Sequence, residues 1–61
     1  MEQTRIKELA YDVVTVNQKG YNFEMFKEYD NYTEEEVEVA RELWEELFED
    51  GYNNFAEKYE V

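Results

Sequence analysis

The sequence predicts an all-α fold, a small three- or four-helix domain. Two long segments, residues 4–19 and 34–50, carry apolar residues at helical spacing, and a glycine follows each of them. A short aromatic segment follows each glycine in turn. The chain of 61 residues is therefore expected to form one domain, residues 1–61, from two units. Each unit is a long helix, a turn and a short helix.

The clearest helix is predicted at residues 34–50. Thr33 and Glu36 have the capping-box spacing, in which each side chain bonds the backbone N–H of the other residue. Gly51 is placed to take the left-handed conformation that ends a helix. The apolar residues of this segment recur on one face, which is expected to join the core: Val37, Ala40, Leu43, Trp44, Leu47 and Phe48.

The first long segment is more ambiguous. Its apolar residues also keep helical spacing, Thr4 is a candidate N-cap, and Gly20 is a candidate stop. However, residues 13–16 read Val-Val-Thr-Val, and such β-branched runs have lower helix propensity. Apolar and polar residues alternate over residues 21–25 after the turn. The alternative is therefore an α+β fold with a β-hairpin at residues 13–25.

An internal repeat favours the helix. Gly20-Tyr21-Asn22 recurs as Gly51-Tyr52-Asn53, and each asparagine is predicted to cap the short helix that follows it. Because the second unit is helical by its own signals, the first is expected to be helical too. Aligning the two glycines pairs four apolar positions: Ile6 with Val37, Leu9 with Ala40, Val13 with Trp44, and Val16 with Leu47.

The predicted core draws on all four segments. A chain this short buries only about 60% of the surface that its unfolded form exposes, so large side chains matter. Six Tyr, four Phe and one Trp supply that area. The predicted members are Ile6, Leu9, Val13, Phe23, Phe26, Val37, Ala40, Trp44, Leu47, Phe48, Phe55 and Tyr59.

The net charge of −11 limits the classes of partner. Residues 1–33 hold six acidic and four basic side chains, and residues 34–61 hold eleven and two, so the second half carries most of the charge. Such a chain is repelled by nucleic acid and by anionic membranes, so we expect it to bind neither directly. No apolar run approaches transmembrane length and no signal peptide precedes the first helix, so we expect a cytoplasmic protein.

The composition also argues against catalysis and metal binding. The chain has no histidine, cysteine or serine, which removes the usual bases, nucleophiles and zinc ligands. We therefore expect no enzyme, no cofactor and no metal. Two runs offer oxygen atoms for calcium, but neither has EF-hand spacing, and both suit helix caps and turns better: Asp30, Asn31 and Glu34, and Asp50, Asn53, Asn54 and Glu57.

The acidic face of residues 34–50 is the candidate binding surface. Nine acids over a rise of roughly 25 Å give about one charge per 2.8 Å, against ~1.7 Å for duplex DNA. This density predicts a DNA-mimicking, non-enzymatic module that binds a basic nucleic-acid-binding protein. A solvated face is the simpler interpretation. The candidate residues are Glu34, Glu35, Glu38, Glu42, Glu45, Glu46 and Glu49.

The alternative function belongs to another class. Tyr11, Tyr32 or Tyr52 would form an aromatic surface for self-association as a homodimer or for a partner, since tyrosine joins apolar area to a polar tip.

A DNA-mimicking function would be similar in kind to that of the small acidic helical proteins of phages and mobile elements that block nucleic-acid enzymes. The similarity is limited to this general theme. No family motif is present that would assign roles to residues of this chain.

Overall fold

The computed structural model describes residues 2–29 and 31–61, and these form four α-helices. The helices are α1 (Gln3–Gln18), α2 (Phe23–Tyr29), α3 (Glu34–Asp50) and α4 (Tyr52–Tyr59). The all-α prediction is confirmed, and no strand occurs in the described parts of the chain. The alternative hairpin is wrong: residues 13–16 lie within α1, and residues 23–25 begin α2.

Helix α3 occupies the centre of the domain. It contacts each of the other three helices, and α1 also contacts α4. Its start has the predicted capping box: the Thr33 hydroxyl accepts from the Glu36 N–H at 3.1 Å, and the Glu36 carboxylate accepts from the Thr33 N–H at 3.0 Å. These two bonds satisfy backbone donors that the first turn of a helix leaves open, and so fix where α3 begins.

The turn between α1 and α2 forms as the sequence predicts. Gly20 has a φ of +83°, and its N–H donates to the Asn17 carbonyl while the Tyr21 N–H donates to the Val16 carbonyl. These two bonds are the Schellman motif, which favours glycine because of the positive φ. The Asn22 side chain then accepts from the Met25 N–H at 3.0 Å, which confirms the predicted cap of α2.

The second glycine turn differs from the first. Gly51 has φ +85° and ψ 159°, so its ψ is extended rather than left-handed helical, in a region that is essentially restricted to glycine. Helix α4 begins at the next residue, with Gly51 as its N-cap. The predicted Asn53 cap is therefore wrong, because Asn53 lies inside α4. The Thr4 cap is wrong for the same reason: α1 begins at Gln3, after Glu2.

The core matches most of the prediction. Seven predicted members are buried: Leu9, Val13, Phe26, Ala40, Trp44, Leu47 and Phe55. Four more are half-buried: Ile6, Phe23, Val37 and Tyr59. Among the described residues, four that the list of core members omits are also buried: Ala10, Val14, Val16 and Leu43, the last of which lies on the apolar face predicted for residues 34–50. In every pair that the repeat aligned, both members have the same degree of burial.

Phe48 is the predicted core residue that the structure places outside the core, with 68% of its surface exposed. Helix α2 begins at Phe23, whose ring lies 5.7 Å from that of Trp44. Later in α2, Lys27 borders a cleft with Val37 and Arg41, in the first half of α3. Helix α2 therefore runs from Trp44 back toward the start of α3, and it leaves Phe48, one turn beyond Trp44, uncovered.

An aromatic cluster joins α2 to α3. Trp44 is 8% exposed, and its ring meets Phe23 and Phe26 edge to face, with centroids 5.7 and 6.1 Å apart. Phe26 is fully buried and stacks on Tyr32 at 4.9 Å. Such pairs contribute about 0.5–1.5 kcal/mol each beyond the area that they bury. The cluster therefore fixes the position of the short helix α2, which is too short to be stable alone.

Replacing Trp44 is expected to unfold the domain, whereas replacing Phe48 is not. Trp44→Ala removes a buried ring at a cost of about 3–5 kcal/mol, and a domain this small has only a few kcal/mol to lose. Phe48→Ala, one turn along the same helix, removes a largely exposed ring and should change stability by less than about 1 kcal/mol. Urea unfolding followed by circular dichroism measures both. Equal losses in the two variants would contradict this structure.

Candidate functional site: the acidic stripe of α3

Five glutamates form one row along the exposed side of α3, and we call this row the acidic stripe. Successive members are three or four residues apart, the spacing that places side chains above one another on a helix. All five are exposed. The row extends over roughly 22 Å at 1.5 Å per residue. Its members are Glu34, Glu38, Glu42, Glu45 and Glu49.

The stripe carboxylates have no basic partner in the described parts of the chain. The ion pairs there use other acids: Arg5 with Glu8 and Glu36, Lys7 with Glu60, Lys27 with Glu24, and Lys58 with Glu46. Arg41 lies within reach of the stripe on the same helix, but its guanidinium stands over the Phe23 ring, 5.0 Å from the centroid. The stripe is thus a row of like charges facing solvent.

The other two candidate residues lie off this row. Glu35 is exposed at its edge, beside Glu34. Glu46 turns toward α4, where its carboxylate accepts from the Tyr59 hydroxyl at 2.7 Å and pairs with Lys58. Its side chain is only 23% exposed. The structure therefore brings six of the seven predicted site residues to one surface and gives Glu46 a role between helices.

Glu36 joins α1 to α3, a contact that the sequence analysis missed. One carboxylate oxygen completes the capping box with Thr33, and the other accepts from Arg5 Nε at 2.7 Å. The two residues are 31 positions apart, and nothing local in the sequence links them. The hydrogen bond from Arg5, and then that from the Thr33 backbone, holds the pKa of Glu36 below its usual value.

Glu46 and Glu60 also join helices and also have lowered pKa values, and we call these two residues and Glu36 the junction carboxylates. Burial alone would raise the pKa of Glu46, but the bonds from Lys58 and Tyr59 together outweigh it, and the pKa is lowered. The hydrogen bond from Lys7 lowers the pKa of Glu60, the C-cap of α4. Tyr59 shifts the other way: burial, followed by its bond to Glu46, raises the pKa of its hydroxyl. These charged contacts link α1, α3 and α4.

The three tyrosines of the predicted aromatic surface differ in exposure. Tyr11 and Tyr52 are 60% and 47% exposed. Tyr32 is half-buried, with its ring on Phe26 and its hydroxyl donating to Asp12 at 3.0 Å, so less of its surface is available to a partner. Tyr11 lines a groove of about 590 Å³ together with Thr4, Lys7, Glu8, Asp12, Glu60 and Val61.

The carboxylates of the two candidate calcium runs form no metal-binding group in the described residues. Among residues 2–29 and 31–61, no group of three or more Asp, Glu, His or Cys side chains is placed to hold a metal ion. Asp30 lies outside the described residues. In the second run, the Asn54 side chain donates to the Asp50 carbonyl at 3.0 Å, a contact at the α3–α4 turn.

No helix in the described part of the chain has the length and apolar character needed to cross a membrane. No protein-family model matches the chain, and neither does any curated protein or solved structure.

Acid is expected to destabilise the domain through the junction carboxylates. A carboxylate whose folded-state pKa is lowered contributes stability above its unfolded value, about 4.5 for Glu36, Glu46 and Glu60. That contribution disappears as the pH falls through the lower folded-state value. The part of the free energy of unfolding that these three contacts supply should therefore decrease between about pH 5 and pH 3.

Glu46→Gln isolates one of these contacts. The amide cannot ionise, so urea unfolding of this variant should depend less on pH over the same range than unfolding of the wild type. Glu57→Gln, an exposed change on α4, is the control and should keep the wild-type dependence. Identical pH profiles for the wild type and Glu46→Gln would contradict the assigned role of Glu46.

Proposed function

We propose that this protein is a non-enzymatic binding module whose acidic stripe binds a basic nucleic-acid-binding protein, in the place of phosphates. The observation that carries the proposal is the row of five exposed carboxylates, which have no basic partner among residues 2–29 and 31–61. The chain has basic side chains, but Arg5, Lys7, Lys27 and Lys58 pair with acids elsewhere. The negative charge of the stripe is thus available to a partner.

The stripe has an energetic cost that supports a role in binding. Like charges four residues apart on a helix destabilise it by a few tenths of a kcal/mol per pair. Glutamine forms helices about as well as glutamate, and alternating charges would add stability. Local features that oppose stability are expected mainly at functional sites. A coat that served solubility alone would not need its charges aligned in one row.

The spacing of the stripe suits one phosphate strand better than a whole duplex. Five carboxylates over about 22 Å are about 5.6 Å apart along the axis, against ~3.4 Å per phosphate in one strand of B-DNA and ~1.7 Å for both. The higher charge density along α3 that the sequence predicts includes Glu36 and Glu46, but in the structure these two residues form hydrogen bonds to other helices. The helix also holds the charges in a fixed row, which lowers the entropy lost on binding.

Self-association through an aromatic surface is the second candidate function. The exposed rings of Tyr11, Tyr52 and Phe48 favour it. The net charge of −11 opposes it, because two copies repel each other. Salt separates the two functions: added salt weakens binding between opposite charges, whereas it screens the repulsion between copies and so promotes self-association.

The test compares two variants of equal charge. The stripe variant replaces Glu38, Glu42, Glu45 and Glu49 with glutamine. The control variant replaces four exposed glutamates elsewhere, Glu2, Glu24, Glu28 and Glu57. Each set of four changes takes the net charge from −11 to −7. The stripe variant should be as stable as the wild type or more stable, because repulsion between neighbouring charges is removed.

The partner is recovered from the source cell by affinity capture at low salt, and each variant is titrated against it at two salt concentrations. We expect the stripe variant to bind at least about tenfold more weakly at low salt, as several phosphate-like contacts are lost. The control should bind nearly as well as the wild type. Wild-type protein should also displace a labelled oligonucleotide from the partner. Equal weakening in both variants would contradict the proposal, because net charge alone would then govern binding.

A further inference from the structure

Phe48 is the most exposed large apolar side chain in the described part of the chain, at 68%. It lies directly beside the acidic stripe, since Glu45 is one turn before it and Glu49 follows it in sequence. A single exposed apolar residue is common on protein surfaces and does not by itself indicate a function. The position of Phe48 beside the acidic stripe does suggest a function.

Phe48 is the outer end of a continuous row of rings. Its centroid lies 6.2 Å from that of Trp44, which lies 5.7 Å from that of half-buried Phe23. The buried part of the row supports the exposed ring from below. A ring held in this way loses little conformational freedom when a partner covers it, so its apolar area contributes to affinity at low entropic cost.

The charges around Phe48 select the kind of partner. A second copy of this chain would bring its own Glu45 and Glu49 to the contact, and burial would strengthen that repulsion by lowering the local dielectric. A basic partner would convert the same two carboxylates into attractive contacts at the rim of an apolar centre. Aromatic anchors surrounded by polar groups are the usual anatomy of protein interfaces.

We propose that Phe48 stands in for a nucleic-acid base, and that the partner carries a groove for single-stranded nucleic acid. Such grooves combine cationic residues that follow one phosphate strand with aromatic platforms on which bases stack. This chain offers one row of negative charge with a supported, exposed ring beside it. The inference rests on the proposed function, because it assigns the stripe to the phosphates of that single strand.

Two defined peptides test the role of Phe48. The first is an oligolysine peptide with tryptophan at intervals, and the second is an oligolysine peptide of equal charge without aromatic residues. The wild type should bind the tryptophan peptide about tenfold more tightly, because one stacked ring is worth that order of affinity. Phe48→Ser should remove this preference and leave binding to plain oligolysine unchanged.

Control variants separate this inference from the proposed function. Tyr11→Ser removes an aromatic side chain of similar exposure on α1 and should keep the preference for tryptophan. The stripe variant should weaken binding to both peptides. If the stripe variant behaves in this way but Phe48→Ser keeps the preference, the inference about Phe48 fails and the proposed function stands. If the stripe variant binds both peptides as tightly as the wild type does, the proposed function fails, and the inference about Phe48 fails with it.

Two further measurements test the class of partner and the rival occupant. The wild type should displace a labelled single strand from a non-sequence-specific OB-fold protein at lower concentration than it displaces a duplex from a helix-turn-helix protein. The reverse order would overturn the single-strand assignment. Sedimentation equilibrium at high salt should show a monomer. A dimer that Phe48→Ser abolishes would assign the ring to contact between copies instead.

Discussion

The burial of Trp44 between α2 and α3 is the interaction on which the rest of the structure depends. The chain has no cysteine for a disulfide, and it is short, so a single core must supply its stability. Trp44 contacts the rings of Phe23, Phe26 and Phe48. These contacts position the seven residues of α2 on α3 and support the ring that remains exposed. One side chain thereby links the core to the candidate binding surface.

Seven of the nine acidic residues of α3 form two sets with different roles. At the junctions, Glu36 binds Arg5 of α1, and Glu46 binds Lys58 and Tyr59 of α4. These acids have basic or hydroxyl partners, and they stabilise the arrangement of helices. The stripe has no such partners in the described residues, and its charges repel each other. The same helix therefore uses one set of carboxylates to hold the fold and leaves the other set available for binding.

Local chemistry made much of this fold predictable. The capping box at Thr33, the stop at Gly20 and the cap at Asn22 depend on residues within a few positions of one another. Helical spacing identified the buried faces of α1 and α3. Predictions failed where the outcome depends on distant parts of the chain. Phe48 has the spacing of a core residue, but its burial depends on where α2 begins.

The candidate site was predictable to a similar extent. The sequence shows the row of glutamates, because residues three and four apart share a helix face. It does not show that Glu46 leaves the row, since that depends on Tyr59 and Lys58 reaching it from α4. Asn53 failed as a cap because the extended conformation at Gly51 allows α4 to begin immediately. The Glu46 case depends on a contact between residues that the sequence alone cannot place together, and the Asn53 case depends on a backbone conformation that the glycine permits but does not dictate.

The central claim is that α3 binds its partner through the exposed face opposite the core. The most direct measurement is an NMR titration of isotope-labelled protein with the tryptophan-containing oligolysine peptide, following backbone amides and the Phe48 ring. The largest shifts should fall on the stripe residues and on Phe48, while amides around Tyr11 and Lys7 change little. Shifts concentrated in the groove at Tyr11, or spread evenly over all the exposed acids, would contradict the claim.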